Sequence, residues 1–395
     1  MARFSRLWRA LPATLLLAAA LAAAPAVADA PLEFVTAPVA KPGGGKWRIG
    51  YYEGGPYFNY RRNLVGFVEG LMDLGWIEPA EVPDVGGPDD NAALWPLLAA
   101  TLKSDYVQFA PEAFWSGGWN ATCREAARED CIRRLNAGEV DFMLAAGTWA
   151  GQDLANDRHA APLTVCSVSN AAFSGIVRSP AESGRDHVHA KCDPDRYVRM
   201  ARLFYNLFRF RRLGITYEDS PEGRVHGAVR EIEQVSREFG FEVVRCLAPF
   251  SGVSQVQSEE AVIACQEELA RQADAVIIPV HRGVNPRVMS RVLAPHFARR
   301  IPTFSQQGSL EVKHGALMGM TLGRGAFREV GTFHAKAAAS AFHGVPVGRL
   351  PLVFEDPRGL ALNRETARRI GFQVPPGLDL VAEDVFETIA PDIGH

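Results

Sequence analysis

The chain of 395 residues is predicted to be an α/β protein with two lobes, each a doubly wound, Rossmann-like sheet with helices on both faces. Its length exceeds that of a typical single domain, and its apolar fraction of 47% is sufficient for two cores. Short apolar runs of strand length alternate with stretches of helical periodicity, which is typical of parallel sheets. This alternation pauses in a connecting region at about 176–196 and then resumes, which indicates the second lobe.

The first lobe is predicted to follow a flexible leader at 29–46, which is rich in proline, glycine and alanine. An apolar run at 47–52 predicts a strand, and glycines and a proline mark the loop after it. Apolar residues spaced three and four apart then predict a helix that ends at Gly75. Later strands are expected at 106–109, 140–145 and 163–168, and helices near 91–103, 121–137 and 149–156.

The second lobe repeats this order. A strand at 213–217 is followed by a polar turn at 218–223. The next helix has an apolar face from Val225 to Phe239 and ends at Gly240. Further strands are expected at 241–246, 275–280, 301–304 and 316–320, and helices near 258–272, 286–299 and 326–343.

The N-terminal residues have the composition of a secretory signal peptide. Three arginines precede an apolar stretch at 11–27, and small residues follow it. The A-x-A rule places cleavage after Ala28, so residues 1–28 are predicted to be removed on export. An uncleaved membrane anchor is the alternative, but the apolar stretch contains two prolines and is shorter than the ~20 residues that a span needs.

The composition downstream of residue 28 disfavours two classes of partner. No later stretch is long and apolar enough for a membrane span, so the exported chain is not expected to be membrane-spanning. The formal net charge of the whole chain is −3, and basic and acidic residues are interleaved. This charge pattern predicts no surface for nucleic acid.

All six cysteines lie downstream of the predicted cleavage site, at positions 123, 131, 166, 192, 246 and 265. An even number in an oxidising compartment permits up to three disulfides, but the spacing does not select a pairing. Cys192 with His187 and His189 resembles a metal-ligand set, and a solvated loop is the favoured interpretation because structural zinc sites need two paired sets. The sequence therefore predicts neither a metal nor a cofactor.

Sequence motifs of common enzyme classes are absent. The chain has no GxSxG, HExxH or GxxxxGK[ST] motif. Gly319, Gly323 and Gly325 do not have the spacing of a dinucleotide-binding loop. We therefore predict that the protein is not an enzyme.

In open α/β sheets ligands bind beyond the carboxyl ends of the strands, so the loops there are the candidate site. These loops contain hydroxyl, amide, glycine and aromatic residues, and several precede helices whose first N–H groups lack partners. This chemistry predicts capture of a small polar ligand. The loops are 53–60, 147–149, 167–170, 218–224, 281–285 and 305–309.

Several segments carry a resemblance to a known family. They are RIGYYEGGPYFNYRRNLVGFVEGLMDLGW, AGEVDFMLAAGTWAGQDLAND, RLGITYEDSPEGRVHGAVREIEQVSREFGFEVV and, most of all, HAKAAASAFHGVPVGRLPLVFEDPRGLALNRETARRIGFQVPPGL. Over about 45–386 the chain resembles periplasmic substrate-binding proteins of ABC transporters. The resemblance is closest to the branch that includes aromatic amino-acid binders, and it implies the type I periplasmic-binding protein fold.

The resemblance implies two lobes joined by a hinge, with a chain that crosses between them three times. The N-terminal lobe would contain 47–175 and a return segment at about 321–350, and the C-terminal lobe would contain 176–320 and the tail at 351–395. Such a protein is periplasmic and non-catalytic, closes around a small-molecule ligand, and presents it to the permease of an ABC importer. The alternatives are a periplasmic ligand sensor that presents the same cleft to a signalling receptor and, less favoured, an exported enzyme.

The resemblance also implies ligand contacts in the loops that match those of the family. In the N-terminal lobe they are Glu53, Tyr57, Tyr60, Gly147, Thr148, Ser169 and Asn170. In the C-terminal lobe they are Glu218, Asp219, Ser220, His281 and Gln306. Each of them is alternatively a turn residue or a helix cap.

An aromatic segment at 106–131 departs from the family pattern. Trp115 and Trp119 within it are candidates for an aromatic wall of the cleft, together with Trp149 and Tyr57. Such a wall favours stacking on an aromatic or sugar ring, so Trp149 is added to the predicted ligand contacts. The alternative is that Trp115 and Trp119 pack an insertion against the N-terminal lobe.

Overall fold

The computed structural model describes residues 31–87, 89–322, 325–356 and 358–393, and the predicted signal peptide lies outside them. The described chain forms a five-stranded and a seven-stranded sheet, each with apolar clusters against both faces. The fold class predicted from the sequence, an α/β protein with two doubly wound lobes, is confirmed. Within the described residues, no helix combines the length and the apolar character that a membrane span requires.

The first part of the described chain, up to residue 190, contains five strands and four helices. The strands are β1 (Trp47–Glu53), β2 (Val107–Ser116), β3 (Phe142–Ala146), β4 (Leu163–Cys166) and β5 (Val188–Ala190). The helices are α1 (Phe58–Asp73), α2 (Asn91–Thr101), α3 (Ala121–Asn136) and α4 (Gly147–Leu154).

The remainder of the described chain supplies the second sheet and further helices. The strands are β6 (Arg212–Tyr217), β7 (Glu242–Leu247), β8 (Ala275–Ile278), β9 (Thr303–Ser305), β10 (Met318–Leu322), β11 (Arg358–Asn363) and β12 (Ala382–Phe386). The helices are α5 (Arg196–Phe208), α6 (Pro221–His226), α7 (Val229–Phe239), α8 (Gln255–Gln272), α9 (Met289–Arg299), α10 (Ser309–Lys313), α11 (Ala326–Phe342), α12 (Arg364–Ile370) and α13 (Pro376–Val381).

The first sheet has the strand order β2-β1-β3-β4-β5, and its strand pairs are parallel. Neighbouring side chains of β1 enter opposite apolar clusters, Tyr51 on one face and Tyr52 on the other. Burial on both faces explains why the strand appears as an almost continuous apolar run. The sheet includes β5, so the first lobe extends beyond the boundary at 175 that the sequence suggests.

The second sheet has the order β12-β11-β10-β9-β8-β6-β7 and is parallel except for the antiparallel pair of β10 and β11. A disulfide joins Cys246 on β7 to Cys265 on α8. The other cysteines are free, with Cys123 exposed and Cys131, Cys166 and Cys192 buried.

Some predicted boundaries differ from the structure. The single helix predicted across 225–239 is two helices, α6 and α7, because Ala228 between them has a φ of 51° and interrupts the helical backbone. The predicted loop 147–149 is the first turn of α4. The strand predicted at 106–109 continues to residue 116.

The segment at 31–46, expected to belong to a flexible leader, lies against the first lobe instead. The backbone N–H of Leu32 donates to the carbonyl oxygen of Arg349 at 2.8 Å, and that of Val35 donates to Ser340 Oγ at 3.0 Å. Leu32, Phe34 and Val39 pack on the apolar cluster of that lobe. Apolar side chains between the prolines hold the segment in place, although its composition is typical of a linker.

Within the described residues, the chain passes between the two sheets at three places. It leaves the first sheet after β5, returns after β10 to form α11, and leaves again before β11. Helix α11 contributes Ala335, Ala338 and Phe342 to the apolar cluster around β1. The first lobe is therefore β1–β5 with α1–α4 and α11, and the second lobe is the remainder from α5 onwards.

Helix α11 lies against α1 at a contact made by glycines. A Cβ atom on Gly66 would lie 2.1 Å from the carbonyl oxygen of Phe327, and one on Gly331 would lie 1.9 Å from the carbonyl carbon of Gly66. A Cβ atom on Gly70 would lie 2.6 Å from Cα of Thr332. The two helix backbones are therefore closer together than any larger residue would allow.

Three buried polar side chains also link the first sheet to α11. The Oγ1 atom of Thr164 on β4 lies 2.7 Å from Nδ1 of His189 on β5 and 2.8 Å from Nδ1 of His334 on α11. His189 Nε2 lies 3.1 Å from the carbonyl oxygen of Pro351, which assigns the proton to Nε2. Thr164 then donates to His189 and accepts from His334. Burial lowers the pKa of both histidines, that of His189 to about 4.

We expect Gly331→Ala to destabilise the protein by at least about 2 kcal/mol, because the added methyl group must push two helix backbones apart. Gly377→Ala is the matched control, since a Cβ atom there meets no atom within 4 Å. Urea-induced unfolding followed by circular dichroism measures both variants. An unchanged stability for Gly331→Ala would contradict this description of the helix contact.

We expect the protein to lose stability on acidification from about pH 7.5 to about pH 5, because an unfolded histidine, with a pKa of about 6.5, takes up a proton in this range. Folded His189, with its pKa lowered to about 4, does not. The unfolded state then binds more protons, so the free energy of unfolding falls by about 2 kcal/mol for His189 alone. Urea titrations at both pH values should show a smaller loss for His189→Gln, and equal losses would refute the assignment.

Candidate functional site

The loops at the carboxyl ends of the two sheets face each other across a space that we call the crevice. Tyr57, which follows β1 in the first lobe, donates a hydrogen bond from Oη to Oε1 of Gln307, which follows β9 in the second lobe, at 3.0 Å. Asn170, after β4, has its Nδ2 atom 3.5 Å from Oε1 of Glu231 on α7. The lobes therefore touch at these two points, and the predicted residues Tyr57 and Asn170 lie at them.

Glu53, at the end of β1, is a predicted ligand contact whose carboxylate is engaged within the first lobe. It is 1% exposed and accepts hydrogen bonds from Tyr51 Oη at 3.0 Å, Asn91 Nδ2 at 2.7 Å and Ser116 Oγ at 3.1 Å. Burial raises the pKa of Glu53, and the three donors oppose that effect. Glu53 therefore fixes the base of the loop that carries Tyr57.

Gly147 begins α4 and lies directly beneath Tyr60. Its φ is 89°, and a Cβ atom on it would lie 1.8 Å from Oη of Tyr60. Only glycine fits under this hydroxyl in that backbone conformation. The predicted residues Tyr60 and Gly147 are thus brought together at the start of α4.

Four aromatic side chains, Tyr57, Tyr60, Trp119 and Trp149, form what we call the aromatic wall on the first-lobe side of the crevice. Ring centroids are 5.0 Å apart for Tyr57 and Tyr60 and 6.1 Å apart for Tyr60 and Trp119. The rings of Trp119 and Trp149 are 5.6 Å apart. Trp119 is 48% exposed, and its Nε1 donates to the carbonyl oxygen of Pro56 at 2.9 Å. The wall is therefore anchored to the loop after β1 while one of its rings faces solvent.

Of the two tryptophans in the aromatic segment, only Trp119 joins the wall. Trp115 on β2 is buried in the apolar cluster that contains Tyr52, on one face of the first sheet. Its Nε1 donates a hydrogen bond to Oδ2 of Asp130 at 2.9 Å. The segment is no insertion, because it forms β2 and the start of α3. The packing interpretation therefore applies to Trp115 alone.

Thr148 and Ser169 are half-buried and form no side-chain hydrogen bond within the described parts of the chain. Asn170 accepts a hydrogen bond at Oδ1 from the backbone N–H of Phe173 at 3.0 Å, so it also caps a turn. Beside the contact between Asn170 and Glu231 there is a cavity of about 140 Å³. It is lined by Phe173 of the first lobe and Val225 of the second lobe. Since ligand pockets usually measure about 300–1,000 Å³, this cavity alone is too small for most solutes.

Glu218, Asp219 and Ser220 follow β6 and are engaged within the second lobe. Glu218 Oε1 accepts hydrogen bonds from the backbone N–H groups of Phe250 and Ser251 at 3.1 and 2.8 Å. Burial would raise the pKa of Glu218, but these donors outweigh burial and lower it. Ser220 caps α6, and Asp219 forms an ion pair with a neighbouring arginine.

His281 follows β8 and is a buried, neutral histidine. Its Nδ1 accepts a hydrogen bond from the backbone N–H of Gly283 at 3.0 Å, and its Nε2 lies 3.2 Å from the carbonyl oxygen of Ala248. Burial lowers the pKa of His281 to about 4. Both ring nitrogens are occupied, so His281 supports its loop in this structure.

Gln306 adjoins the lobe contact at Gln307, at what we call the base of the crevice. It is 2% exposed, and its backbone carbonyl oxygen lies 3.5 Å from an Nη atom of Arg196, the first residue of α5. Glu311 on α10 is 3% exposed and accepts a hydrogen bond from Ser305 Oγ at 3.1 Å. Burial raises the pKa of Glu311 to about 7. The base of the crevice therefore holds a cation and an acid beside the predicted Gln306.

The sequence carries little signal for Arg196, Gln307 and Glu311. Arg196 is one of several arginines on an amphipathic helix, where charged residues are expected to face solvent. The rule that places loops at the carboxyl edge of a sheet does cover Gln307, but it does not choose between it and Gln306. No local pattern relates residue 196, which begins α5, to residue 306, which follows β9, because the tertiary packing of the second lobe brings them together.

Cys192, His187 and His189, which resemble a metal-ligand set in the sequence, do not form one in the structure. His187 Nε2 lies 3.0 Å from the carbonyl oxygen of Asn156, and His189 is held by Thr164 and Pro351. Among the described residues, no group of three or more histidine, cysteine, aspartate or glutamate side chains is arranged to hold a metal ion.

We expect Tyr57→Phe to shift the protein towards a wider separation of its lobes, since the variant keeps the ring but loses the bond to Gln307. A net hydrogen bond of about 1 kcal/mol corresponds to roughly a fivefold change in population. Small-angle X-ray scattering of the ligand-free protein measures the change in radius of gyration. Tyr106→Phe is the control, because the Tyr106 hydroxyl bonds to no side chain or backbone group in the described chain. Identical scattering of both variants would argue against the contact.

No protein-family model matches the sequence, and no curated protein matches it significantly. Solved structures are nevertheless similar in fold. An ABC domain from Streptococcus pneumoniae in complex with L-Trp has a TM-score of 0.64 at 16% identity, and the match covers 87% of this chain and 100% of that one.

Two further solved structures show the same likeness. A ligand-free, open substrate-binding protein with adhesive properties from Clostridium difficile has a TM-score of 0.60 at 16% identity and covers 87% of this chain and 99% of its own. A conserved domain protein from Vibrio cholerae has a TM-score of 0.62 at 14% identity, and the match covers 86% of this chain and 100% of that one. Together with the two sheets and the three passages between them, these similarities show that the chain has the type I periplasmic-binding protein fold.

Proposed function

We propose that the protein is a periplasmic solute-binding protein that captures a small polar ligand, aromatic or amino-acid-like, in the crevice and delivers it to the permease of an ABC importer. One observation carries this proposal: the loops at the carboxyl ends of two doubly wound sheets face each other, with an aromatic wall on one side and polar side chains on the other. Sites of this kind combine apolar surface with a few polar groups that orient a ligand.

The aromatic wall supports a ligand with a flat ring. The exposed ring of Trp119 and the half-buried ring of Trp149, over which the Arg124 guanidinium lies at 4.6 Å, offer stacking surface, and such contacts contribute about 0.5–1.5 kcal/mol beyond the burial of area. The Streptococcus pneumoniae structure, which has the same fold, contains L-Trp. A bound ring on this wall would exclude water from the centre of the crevice.

Two features support function outside the cytoplasm. The predicted signal peptide, with cleavage after Ala28, would direct the chain to the periplasm. The disulfide between Cys246 and Cys265 is the kind of bond that forms and persists in an oxidising compartment.

Binding rather than catalysis fits the state of three titratable residues that the sequence predicts as ligand contacts. Glu53, Glu218 and His281 each have their hydrogen-bonding atoms engaged within one lobe. They stabilise the loops, and a solute would be held by hydrogen bonds and ring contacts. Closure of the lobes on the ligand would form the surface that the permease recognises.

A thermal-shift screen of amino acids, sugars, nucleosides and aromatic acids tests the proposal. A ligand present at about 100 times its dissociation constant adds ~2.7 kcal/mol to the free energy of unfolding, so a true ligand raises the melting temperature measurably. Trp149→Ala should weaken binding of the best ligand roughly tenfold or more, because it removes part of the stacking surface.

Trp149→Phe is the matched variant, since it keeps a flat ring at the same position and should retain most of the affinity. Isothermal titration calorimetry compares the three proteins, and circular dichroism checks that each is folded. If Trp149→Ala and the unmodified protein bound the ligand with equal affinity, the aromatic wall would not be part of the binding site. Conversion of a screened compound into a product would show that the protein is an enzyme.

A further inference from the structure

The base of the crevice contains a cation, Arg196, that lies within ion-pair distance of no carboxylate in the described parts of the chain. Arg196 is half-buried, and within the described residues its guanidinium forms no ion pair. Two carboxylates, Asp356 and Asp193, act electrostatically on Arg196, but their ion pairs are formed with Lys191 and Arg199. The guanidinium has only a long contact of 3.5 Å to a carbonyl oxygen and lies 5.3 Å from the Tyr197 ring centroid. Partial burial of an unpaired charge is costly unless something neutralises it.

A second group beside Arg196 also lacks a partner. The side chain of Gln306 is 2% exposed, and its Nε2 atom has no hydrogen-bond partner in the described chain. Its Oε1 accepts the backbone N–H of Val280 at 2.9 Å. Rotating the amide would set its NH2 group against that N–H, so Nε2 is the free donor. Buried donors of this kind are rare because each one costs free energy.

Both groups lie where a ligand would sit. Gln307, next to Gln306, accepts the hydrogen bond from Tyr57 across the crevice. The Arg196 guanidinium lies 3.5 Å from the backbone carbonyl oxygen of Gln306, which is the residue before the partner of Tyr57, so it lies close to the Tyr57 end of the aromatic wall. A solute stacked on the wall would therefore reach Arg196 with a substituent at its edge.

The acid that faces the same region does not oppose an anion strongly. Glu311 accepts a hydrogen bond from Ser305 Oγ, and burial raises its pKa to about 7. A large fraction of Glu311 is then protonated at neutral pH, and a bound anion would increase that fraction. Of the acids around Arg196, Glu311 therefore carries only part of a negative charge at neutral pH, and Asp356 and Asp193 are engaged in ion pairs with other residues.

We infer that the solute carries a carboxylate, which Arg196 binds through its guanidinium and Gln306 binds through Nε2. This inference rests on the proposed function and specifies its ligand class as small carboxylates, with a ring that contacts the aromatic wall. A guanidinium matches a carboxylate with two parallel hydrogen bonds, and charge-assisted bonds of this type are among the strongest in proteins.

Matched pairs of compounds test the inference on the full exported chain. The probes are phenylacetate and phenylacetamide, indole-3-acetate and indole-3-acetamide, and L-tryptophan and L-tryptophanamide, with myo-inositol, D-ribose and adenosine as neutral solutes. We expect at least one carboxylate to bind, and its amide to bind about 10- to 100-fold more weakly because the charge-assisted bonds are lost.

Variants then assign the effect to Arg196. Arg196→Gln should reduce the affinity for the carboxylate about 10- to 100-fold and leave the weak affinity for the amide unchanged, whereas Arg196→Lys should recover part of the loss. Arg202→Gln is the matched control, because Arg202 lies on the same helix and pairs with Glu238 at the surface. Calorimetry gives the affinities, and circular dichroism confirms the fold of each variant.

The outcomes separate the inference from the proposed function. Binding of a neutral solute without preference for carboxylates, or a carboxylate affinity that Arg196→Gln leaves unchanged, would overturn the inference and keep the proposed function. If no probe of either class bound, both would be overturned. An equal loss of carboxylate and amide binding in Arg196→Gln would assign Arg196 a structural role and would also overturn the inference.

Discussion

The close approach of α1 and α11 is the contact on which the two-lobed arrangement depends. Gly66 and Gly331 bring the two helix backbones into direct contact, so α11 completes the apolar layer over the first sheet although it follows β10 of the second sheet in sequence. A chain that must return to the first lobe in this way has to cross between the lobes three times. The crossings keep the two sheets side by side and set their loop edges opposite each other, which creates the crevice.

Two of the crossings run together and limit how the lobes move. The N–H of Cys192 donates to the carbonyl oxygen of Leu352, and the N–H of Phe354 donates to that of Cys192. Lys191 and Asp356 add an ion pair at the same place. Paired crossings of this type bend together, so opening would separate the loops around Tyr57 and Gln307 and would leave the start of α5 close to the crossings.

Sequence patterns predicted the alternation of strands and helices because burial on both faces of a sheet produces distinct apolar runs. They also selected Tyr57, Tyr60, Gly147 and Trp149, which lie together in the structure, although Tyr60 is in the first turn of α1 and Gly147 and Trp149 are in the first turn of α4. The patterns could not show which polar side chains turn inward. Glu218 and His281 lie in the expected loops but form hydrogen bonds within their own lobe. The glycine contact between α1 and α11 was also not predictable, because the apolar periodicity of a helix does not show which of its glycines contacts another helix.

The residues at the base of the crevice could not be predicted from local sequence patterns for a different physical reason. Arg196 belongs to a helix with arginines on several faces, and its burial follows from the crossing that precedes it. Residues 31–46 illustrate the same limit, since a proline- and glycine-rich composition is typical of linkers, whereas the apolar side chains between those residues pack on α11 and the first core. In both cases, contacts between residues far apart in the sequence determine where the segment lies.

The contact between Tyr57 and Gln307 constrains how a solute could close the lobes. The two lobes meet through a protein hydrogen bond, so the protein itself supplies one contact that stabilises the closed arrangement. A solute shifts the balance towards it only through contacts that it makes in the closed state and lacks in the open one. A ring on the aromatic wall alone engages the first lobe and has no such effect. A ring that also carries a carboxylate to Arg196 and Gln306 connects the two lobes, and its binding energy therefore stabilises closure.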